Sequence, residues 1–593
     1  MFDVFEGRVQ DKIEIAGRSL KEDKVMDLKE AVRRFIRPGM HLHVGHTYLR
    51  SNAALYEICR QFWGKDPGFT LSALGSTANM VLLVYGGLVK KLITTFCGDS
   101  YPFPGPNPIY QRAYREGTLQ IENWTVLTFP QRLLAGALGV EWLPTHSIMG
   151  SSMAEENRED FWVTESPDGE RVGMVRALRP DLTLIHAWAA DKAGNVLLTP
   201  PYAENVHSLV AAKEGALVTV EKVVETGFLK RYSHFVKVPG YLVRGVCPAP
   251  MGVHPSGASN QGMKEFDAYA EDEMFMLELR EACKSEETIR RWTEEWLLGC
   301  PDHESYIRKL GHERVWFLKG RAAADSWWSE LASRIGEIRR DAEASPLERM
   351  IVAASRLIKE KVIQRGYRTI LAGIGASNLA SWKAWYDLTR EDRAVDLMAE
   401  VGFYGYTPRP ADPFIFNFRN IPTCTMLTDI LTVVGSLVGA KSNRCLGVLG
   451  AGQVDQHGNI NSTKIPEINT FLVGSGGACD VALGAQEVVV TIPLSKFRCV
   501  EKVGYITAPG QRVTAVVTDE GIFEREEPGS PLVLTSVLSH DGRRGTRDGV
   551  AEIAAKCGWK LKVAPELKEI APPTWDELAD VRIFDPRRYF LEE

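Results

Sequence analysis

The chain has 593 residues, 45% hydrophobic and 25% charged, the composition of an ordinary globular protein with material for more than one domain. Its formal charge of -6 argues against a general nucleic-acid or membrane-surface binder. The ten cysteines are scattered, with no C-x-x-C pair and no zinc-ligand spacing, which fits reduced thiols in a cytoplasmic protein; the N-terminal stretch reads as neither signal peptide nor membrane span.

In chain order, KVMDLKEAVRRFI (Lys24 to Ile36) has helical periodicity and stops at Arg37-Pro38-Gly39, after which HLHVG reads as a strand ending at Gly45. Strand-like runs recur at FTLSAL, LTLIHAWAA (Leu182 to Ala190) and ALVTVEKVV (Ala216 to Val224), separated by helical or loop material as in a mostly parallel sheet. FWVTESPDGERVGMV predicts a hairpin around Asp168-Gly169. The acidic amphipathic stretch from Phe266 to Leu298 predicts helices outside the sheet, and Ala324 to Pro346 a helical connector. The expected division is therefore a first domain over residues 1–323, a linker over 324–347 and a second domain over 348–593. The last segment, APPTWDELADVRIFDPRRYFLEE, predicts a short helix with an arm.

Beyond the connector the pattern repeats. RLIKEKVIQRGYRTILAGIG answers AVRRFIRPGMHLHVG, and LGVLGAGQVDQHGNI answers LTLIHAWAADKAGNV. The second match sets Asp191, Gly194 and Asn195 beside Asp455, Gly458 and Asn459. Two α/β domains of common ancestry are expected, with a cleft between them as the default site.

Residues with chemical potential cluster in the second half. In VDLMAEVGFYGYTP, a buried strand (Val395 to Ala399) ends in one carboxylate, Glu400, followed by Gly402 and Gly405, which allow a tight turn. A solvated Glu at a strand end is the competing reading. The turn VGSGGACD (Val473 to Asp480) offers backbone N–H groups to a phosphate or oxyanion, although tight turns alone explain such glycines. No G-x-G-x-x-G fingerprint or P-loop is present, so nicotinamide and ATP chemistry find no support. His41, His43 and His46 invite a metal reading, but no carboxylate or Cys accompanies them and packing or substrate-lining roles fit better. Cys479 lacks a base at motif distance and reads as a small buried residue. Arg444, Lys496, Arg498 and Lys502 are candidates for a ligand phosphate, against the usual solvated role.

These motifs together resemble the class I CoA-transferases, closest to glutaconate CoA-transferase with its two subunits fused. The first half resembles one of the two from KVMDLKEAV through PMGVHPS (Pro250 to Ser256) to DHESYIRKLG; the second half resembles the other in GQVDQHGNINST, FLVGSGGA and KVGYITAPG. The resemblance implies two tandem related open α/β domains and ping-pong transfer of CoA from an acyl-CoA to a free carboxylate. Coenzyme A is then a cosubstrate and no tightly bound cofactor or metal is expected. The family's E-x-G turn falls on Glu400-Val401-Gly402, implying Glu400 as nucleophile, and its Gly-rich turn on Gly476 and Gly477. Gly402, Gln453, Asn459 and Asn461 are further candidates around the oxyanions and CoA, the asparagines serving equally well as turn stabilisers. Gly75, Ser76, Thr77 and His46 are the acyl-side candidates. His46 marks a departure, standing where the family has the second of two glycines.

Two alternatives stay open: an acyl-CoA hydrolase, including the ring-opening hydrolases of steroid degradation, and a non-catalytic acyl-CoA sensor. The former lack the E-x-G glutamate, and a sensor would carry an output module. GDSYPFPGPNPIYQRAY (Gly98 to Tyr114), rich in Pro and aromatics, predicts an acyl group bulkier or more apolar than a short dicarboxylate. The first half's counterpart of the E-x-G turn is Leu74-Gly75-Ser76, without an acid, so one site per chain is expected. Uncovered sheet edges and helices favour a homo-oligomer.

Overall fold

Asp27 starts the first core helix: its carboxylate accepts from the N–H groups of Lys29 and Glu30, and Leu28–Phe35 then buries Leu28, Ala31, Val32 and Phe35 along one stripe. The structure is a computed structural model that describes residues 2–17, 22–341, 343–440, 442–527, 529–539 and 546–592. Among them no helix is long and apolar enough to cross a membrane.

The first half is built on seven parallel strands: β1 (His41–Val44), β2 (Phe69–Ser76), β3 (Val89–Cys97), β4 (Gln120–Asn123), β5 (Leu182–Ala190), β6 (Ala216–Val223) and β7 (Val243–Pro248). Their spatial order is β7-β6-β5-β1-β2-β3-β4. Every residue of β5 is buried, which is why this strand reads as an unbroken apolar run rather than an alternation. The second half repeats the plan with β8 (Thr369–Ala372), β9 (Asp396–Ala399), β10 (Cys445–Gly450), β11 (Glu487–Thr491) and β12 (Val513–Val517), in the order β9-β8-β10-β11-β12.

The repeat is thus a repeat of topology. β1 lies between β2 and β5 as β8 lies between β9 and β10, and β6 and β7 follow β5 as β11 and β12 follow β10. Register makes the match residue by residue: His41 pairs with Thr70 and Thr369 with Asp396. Counting onward from those pairs, Leu74 and Glu400 occupy the same place in the two sheets. The D-x-x-G-N turns match atom for atom. Asn195 donates its N–H and Nδ2 to Asp191 at 2.9 and 2.8 Å, and its Oδ1 accepts from Gly240 at 3.0 Å. Asn459 makes the same bonds to Asp455 at 3.1 and 3.0 Å and accepts from Gly510 at 2.9 Å.

The expected hairpin forms from Phe161–Glu165 and Arg171–Arg176. The acidic stretch folds as helices Glu273–Ala282 and Glu286–Thr293, the second continuing into a π-turn. The connector is less helical than expected. Its helix, Ser326–Arg334, ends early, and the next begins only where Ser345 and Glu348 form a capping box ahead of Pro346–Arg365. The last segment is helix Trp575–Phe584 followed by an arm that brings Phe590 to the central cavity.

Candidate active site

A cavity of about 680 Å³ opens between the halves, with Tyr48, Gly75 and Thr77 of the first and Glu400, Gly476 and Gly477 of the second on its wall. Its floor is stitched from both. The Gly-rich turn lies against the ends of β3 and β4: Cys97 N–H donates to Val473 O at 2.7 Å, Gly476 N–H to Thr95 O at 2.9 Å and Val126 N–H to Gly476 O at 3.0 Å. Ser475 adds its N–H to Asn123 Oδ1 at 3.1 Å and its hydroxyl to Trp124 O at 2.6 Å. At Gly474, with φ +109°, a Cβ would sit 2.5 Å from Thr95 O, so only glycine lets the two backbones approach this closely.

Glu400 follows β9 directly. Gly402, at φ +118°, then reverses the chain into the antiparallel pair Phe403–Tyr404 and Met426–Leu427; a side chain there would run into the Thr428 carbonyl. Protein encloses the Glu400 carboxyl except where it opens on the cavity. No hydrogen bond or ion pair with a described residue reaches it. It lies against Gly477, where an added Cβ would collide with Oε2 and stand 3.1 Å from Cδ. Burial, with a smaller contribution from the charge of Asp480, pushes its pKa up to about 8. A carboxyl held that high is mostly the neutral acid near pH 7. A desolvated carboxyl of this kind is more basic, and once ionised more nucleophilic, than one in water.

The other expected site residues divide. Gly75, Thr77, Gly476 and Gly477 stand on the cavity wall. Ser76 sits behind it, its hydroxyl 2.8 Å from Tyr110 Oη. His46, 1% exposed, is also set back, its ring edge-on to Tyr202. Its φ of +57° explains why glycine is the easier residue at that position. His41 and His43 share the Ser72 hydroxyl at 2.8 and 3.0 Å. Among the described residues no group of three His, Cys, Asp or Glu is placed to hold a metal ion. Several of the candidate oxyanion and CoA groups have partners within the protein. Gly476 N–H serves Thr95 and Gly402 N–H serves Ala399 O at 3.2 Å, while the Asn459 side chain holds the turn described above. Gln453 and Asn461 bond to each other at 2.9 Å, and Gln453 also donates to Phe497 O at 3.0 Å. Cys479 is buried, away from the residues lining the cavity, and burial raises its thiol pKa, as for a small packed residue. Of the four basic candidates, Arg498 reaches the cavity wall.

Sequence reading passed over several charged residues at the site, among them Asp480, Glu271 and Arg50. Asp480 accepts Leu127 N–H at 3.0 Å and the Ser147 hydroxyl, both from the first half, and burial pushes its pKa up to about 6. Glu271 brings a second carboxyl to the cavity, pushed up to about 7 by burial. Arg50 also lines the cavity. For Asp480 the signal was present, since it ends VGSGGACD; the other two lie in stretches with no motif.

Two α/β halves share one cavity, and a carboxyl with no hydrogen bond or ion pair to a described residue stands on its wall. Residues 25–247 match the family model described as Coenzyme A transferase. Both polypeptides of the two-chain 3-oxoadipate CoA-transferase from Pseudomonas knackmussii match part of this chain. One is 29% identical over 293 residues, 48% of this chain and 98% of its own length; the other is 35% identical over 160 residues, 24% of this chain and 59% of its own length. One polypeptide of glutaconate CoA-transferase from Acidaminococcus fermentans is 27% identical over 317 residues, 50% of this chain and 94% of its own length. An acyl-CoA transferase from Escherichia coli O157:H7 shares the fold over 95% of this chain and 96% of its own, with a TM-score of 0.61 at 16% identity. Residues 25–247 thus resemble the coenzyme A transferases, and the fold shared with the acyl-CoA transferase extends over nearly the whole chain.

Proposed function

We propose that the protein transfers coenzyme A from an acyl-CoA to a free carboxylate through a glutamyl-CoA thioester on Glu400. The observation that carries this is the lone, desolvated Glu400 carboxyl on a cavity built from both halves. The ionised carboxylate attacks the thioester carbonyl; the C–S bond breaks, leaving an acyl-glutamyl anhydride and CoA thiolate. The thiolate attacks the glutamyl carbonyl and releases the acyl part as its free acid. An incoming carboxylate then runs the two steps in reverse and restores Glu400. Gly477 fits the carboxyl by having no side chain, and binding of the remote nucleotide holds the reacting atoms in register. The reading takes residues 1–323 as the acyl-binding domain, 324–347 as linker and 348–593 as the domain bearing the nucleophile. It expects one site per chain, a homo-oligomer, a cytoplasmic setting, and coenzyme A as cosubstrate without a tightly bound cofactor.

Incubation with acyl-CoA alone should leave CoA, not the acyl group, on the peptide spanning Val395 to Pro408, and borohydride should reduce that thioester. Glu400→Gln keeps the shape, removes the nucleophile and should abolish both adduct and transfer. Full transfer by E400Q, with deamidation excluded, would sink the mechanism. Acyl-CoA consumption that does not depend on an added carboxylate would make the protein a hydrolase instead.

A further inference from the structure

The arm after helix Trp575–Phe584 ties the two halves together at the cavity. Asp585, which is buried, folds it back by accepting the N–H groups of Tyr589 and Phe590 at 2.9 and 2.7 Å. Tyr589 reaches the first half: its hydroxyl donates to Glu273 at 2.6 Å and its ring lies 5.3 Å from that of Phe103. Arg587 pairs with the same Glu273. On the other side, the Leu591 carbonyl accepts the Ser345 hydroxyl at 3.2 Å, and Arg588 pairs with Glu348 at 3.3 Å. Glu273 begins one helix, and Ser345 and Glu348 form the capping box that begins another. The arm therefore lies across the first turns of two helices, Glu273–Ala282 and Pro346–Arg365, and Phe590 is the residue between its two anchors.

Each of these helices brings an apolar pair to the cavity, Met276 with Leu279 and Leu347 with Met350, and the spacing of three puts each pair on one helix face. Phe590, 7% exposed, stands on the same cavity wall and belongs to the same apolar cluster as Met350. The bonds that hold the arm come from its neighbours, which leaves the Phe590 ring to packing and to the cavity. The Pro-rich segment meets the arm here too, since Phe103 lies against Tyr589 and Pro104 lines the cavity. Asp99 and Arg280, charged residues of that wall, pair with each other at 3.4 Å, and Arg280 also donates to Phe103 O at 2.8 Å. The two apolar pairs and Phe590 thus form a patch drawn from both halves, with an aromatic ring fixed in it by bonds on either side.

A packed aromatic ring gives way little, so a chain lying along this patch can extend only as far as the ring allows. We propose that Phe590 is a specificity-determining residue: it ends the acyl pocket and limits the length of the apolar acyl chain that can be bound while its thioester lies at Glu400. The proposal rests on the transfer reading above and concerns the acyl group taken by that same site.

The test measures the second-order rate constant for CoA adduct formation on Glu400 with straight-chain saturated CoA esters, from butyryl-CoA to hexadecanoyl-CoA. In wild-type protein the constant should rise with chain length and then fall sharply at one length. Phe590→Ala should move that fall to chains longer by about two to four carbons and raise the constant for the first excluded ester about 10-fold, while Phe590→Trp should move the fall to shorter chains. Opposite shifts from a smaller and a larger residue cannot come from a loosened arm, and the Trp variant decides the matter if the Ala variant does not fold. A fall at the same length in all three proteins would overturn the proposal. So would a wild-type protein with no length limit, or equal losses with every ester, which would set Phe590 against the CoA part or make it only structural. An adduct from butyryl-CoA in the variants shows the transfer chemistry intact whichever way the limit moves; no adduct from any ester in wild-type protein overturns the transfer reading, and the length limit with it.

Discussion

Gly477→Ala is the sharpest probe of the Glu400 site because it separates folding from catalysis. Gly477 has φ -91° and ψ 5°, which alanine adopts without strain, so the backbone has no objection to the change. The new methyl meets one thing, the Glu400 carboxyl: it would overlap Oε2 and lie 3.1 Å from Cδ. Because that carboxyl is the free end of a side chain bordering a cavity, it can swing away at little cost in stability, about 1 kcal/mol or less. To reach ordinary contact it must retreat by about 1 Å, and a displacement of that size at a reacting group costs on the order of 100-fold, or about 2.7 kcal/mol of barrier. The assay is single-turnover formation of the CoA adduct from acyl-CoA, with thermal unfolding of the same preparation. The expected result is a rate down about 100-fold with Tm within about 2 °C of wild type. Gly476→Ala is the matched comparison. Its Cβ would meet nothing within 4 Å, but φ is +49°, so it should cost about 1 kcal/mol of stability and far less activity. Adduct formation at the wild-type rate in G477A would refute the placement of the nucleophile against this turn.

The raised pKa of Glu400 sets a pH dependence. Attack needs the carboxylate, so kcat/KM should rise with pH and level off above about 8. The groups coupled to it are Asp480 and the phenol of Tyr48, which burial holds neutral over this range. Asp480→Asn removes a charge that opposes ionisation, and the rising limb should move to lower pH; an unmoved or alkaline-shifted limb would show that burial alone sets the value. For the matched turns, Asn195→Ala and Asn459→Ala should each cost about 1–2 kcal/mol of stability while leaving kcat within about threefold. A tenfold loss of kcat in N459A with unchanged Tm would return that side chain to the CoA site.

Periodicity carried much of the fold. The run LTLIHAWAA could be read as a buried strand because all nine of its residues are covered, and the repeat was visible because its D-x-x-G-N turns need those residue types locally. Glu400 was legible for a similar reason: a lone acid between an apolar strand and a glycine that must reverse the chain leaves few local explanations. What sequence could not supply was the partner of each polar group. Gly476 looks like a free donor until β3 is laid beside it and Thr95 takes the N–H. Asp480 is held by Leu127, more than three hundred residues away, and Arg50 joins the cavity wall only once the chain is folded.

The register between the halves also explains how a duplicated sheet came to have unequal roles. Leu74 and Glu400 hold the same position at the ends of matching strands, and both stand on the cavity wall. At one of these equivalent points the chain presents an apolar side chain, at the other a carboxyl. An acid at both would add a further desolvated carboxyl to those of Glu400 and Glu271, and like charges on one cavity hinder the ionisation that attack requires. Leucine at residue 74 avoids that repulsion, and Tyr48, Gly75 and Thr77 of the first half line the cavity beside it. The Gly-rich turn completes the asymmetry, since its N–H and carbonyl groups pair with β3 and with Val126 and tie the second half to the first half's sheet. Neither half lines the cavity alone, and the covalent joining of the two keeps the Glu400 carboxyl and the first half's wall in fixed stoichiometry.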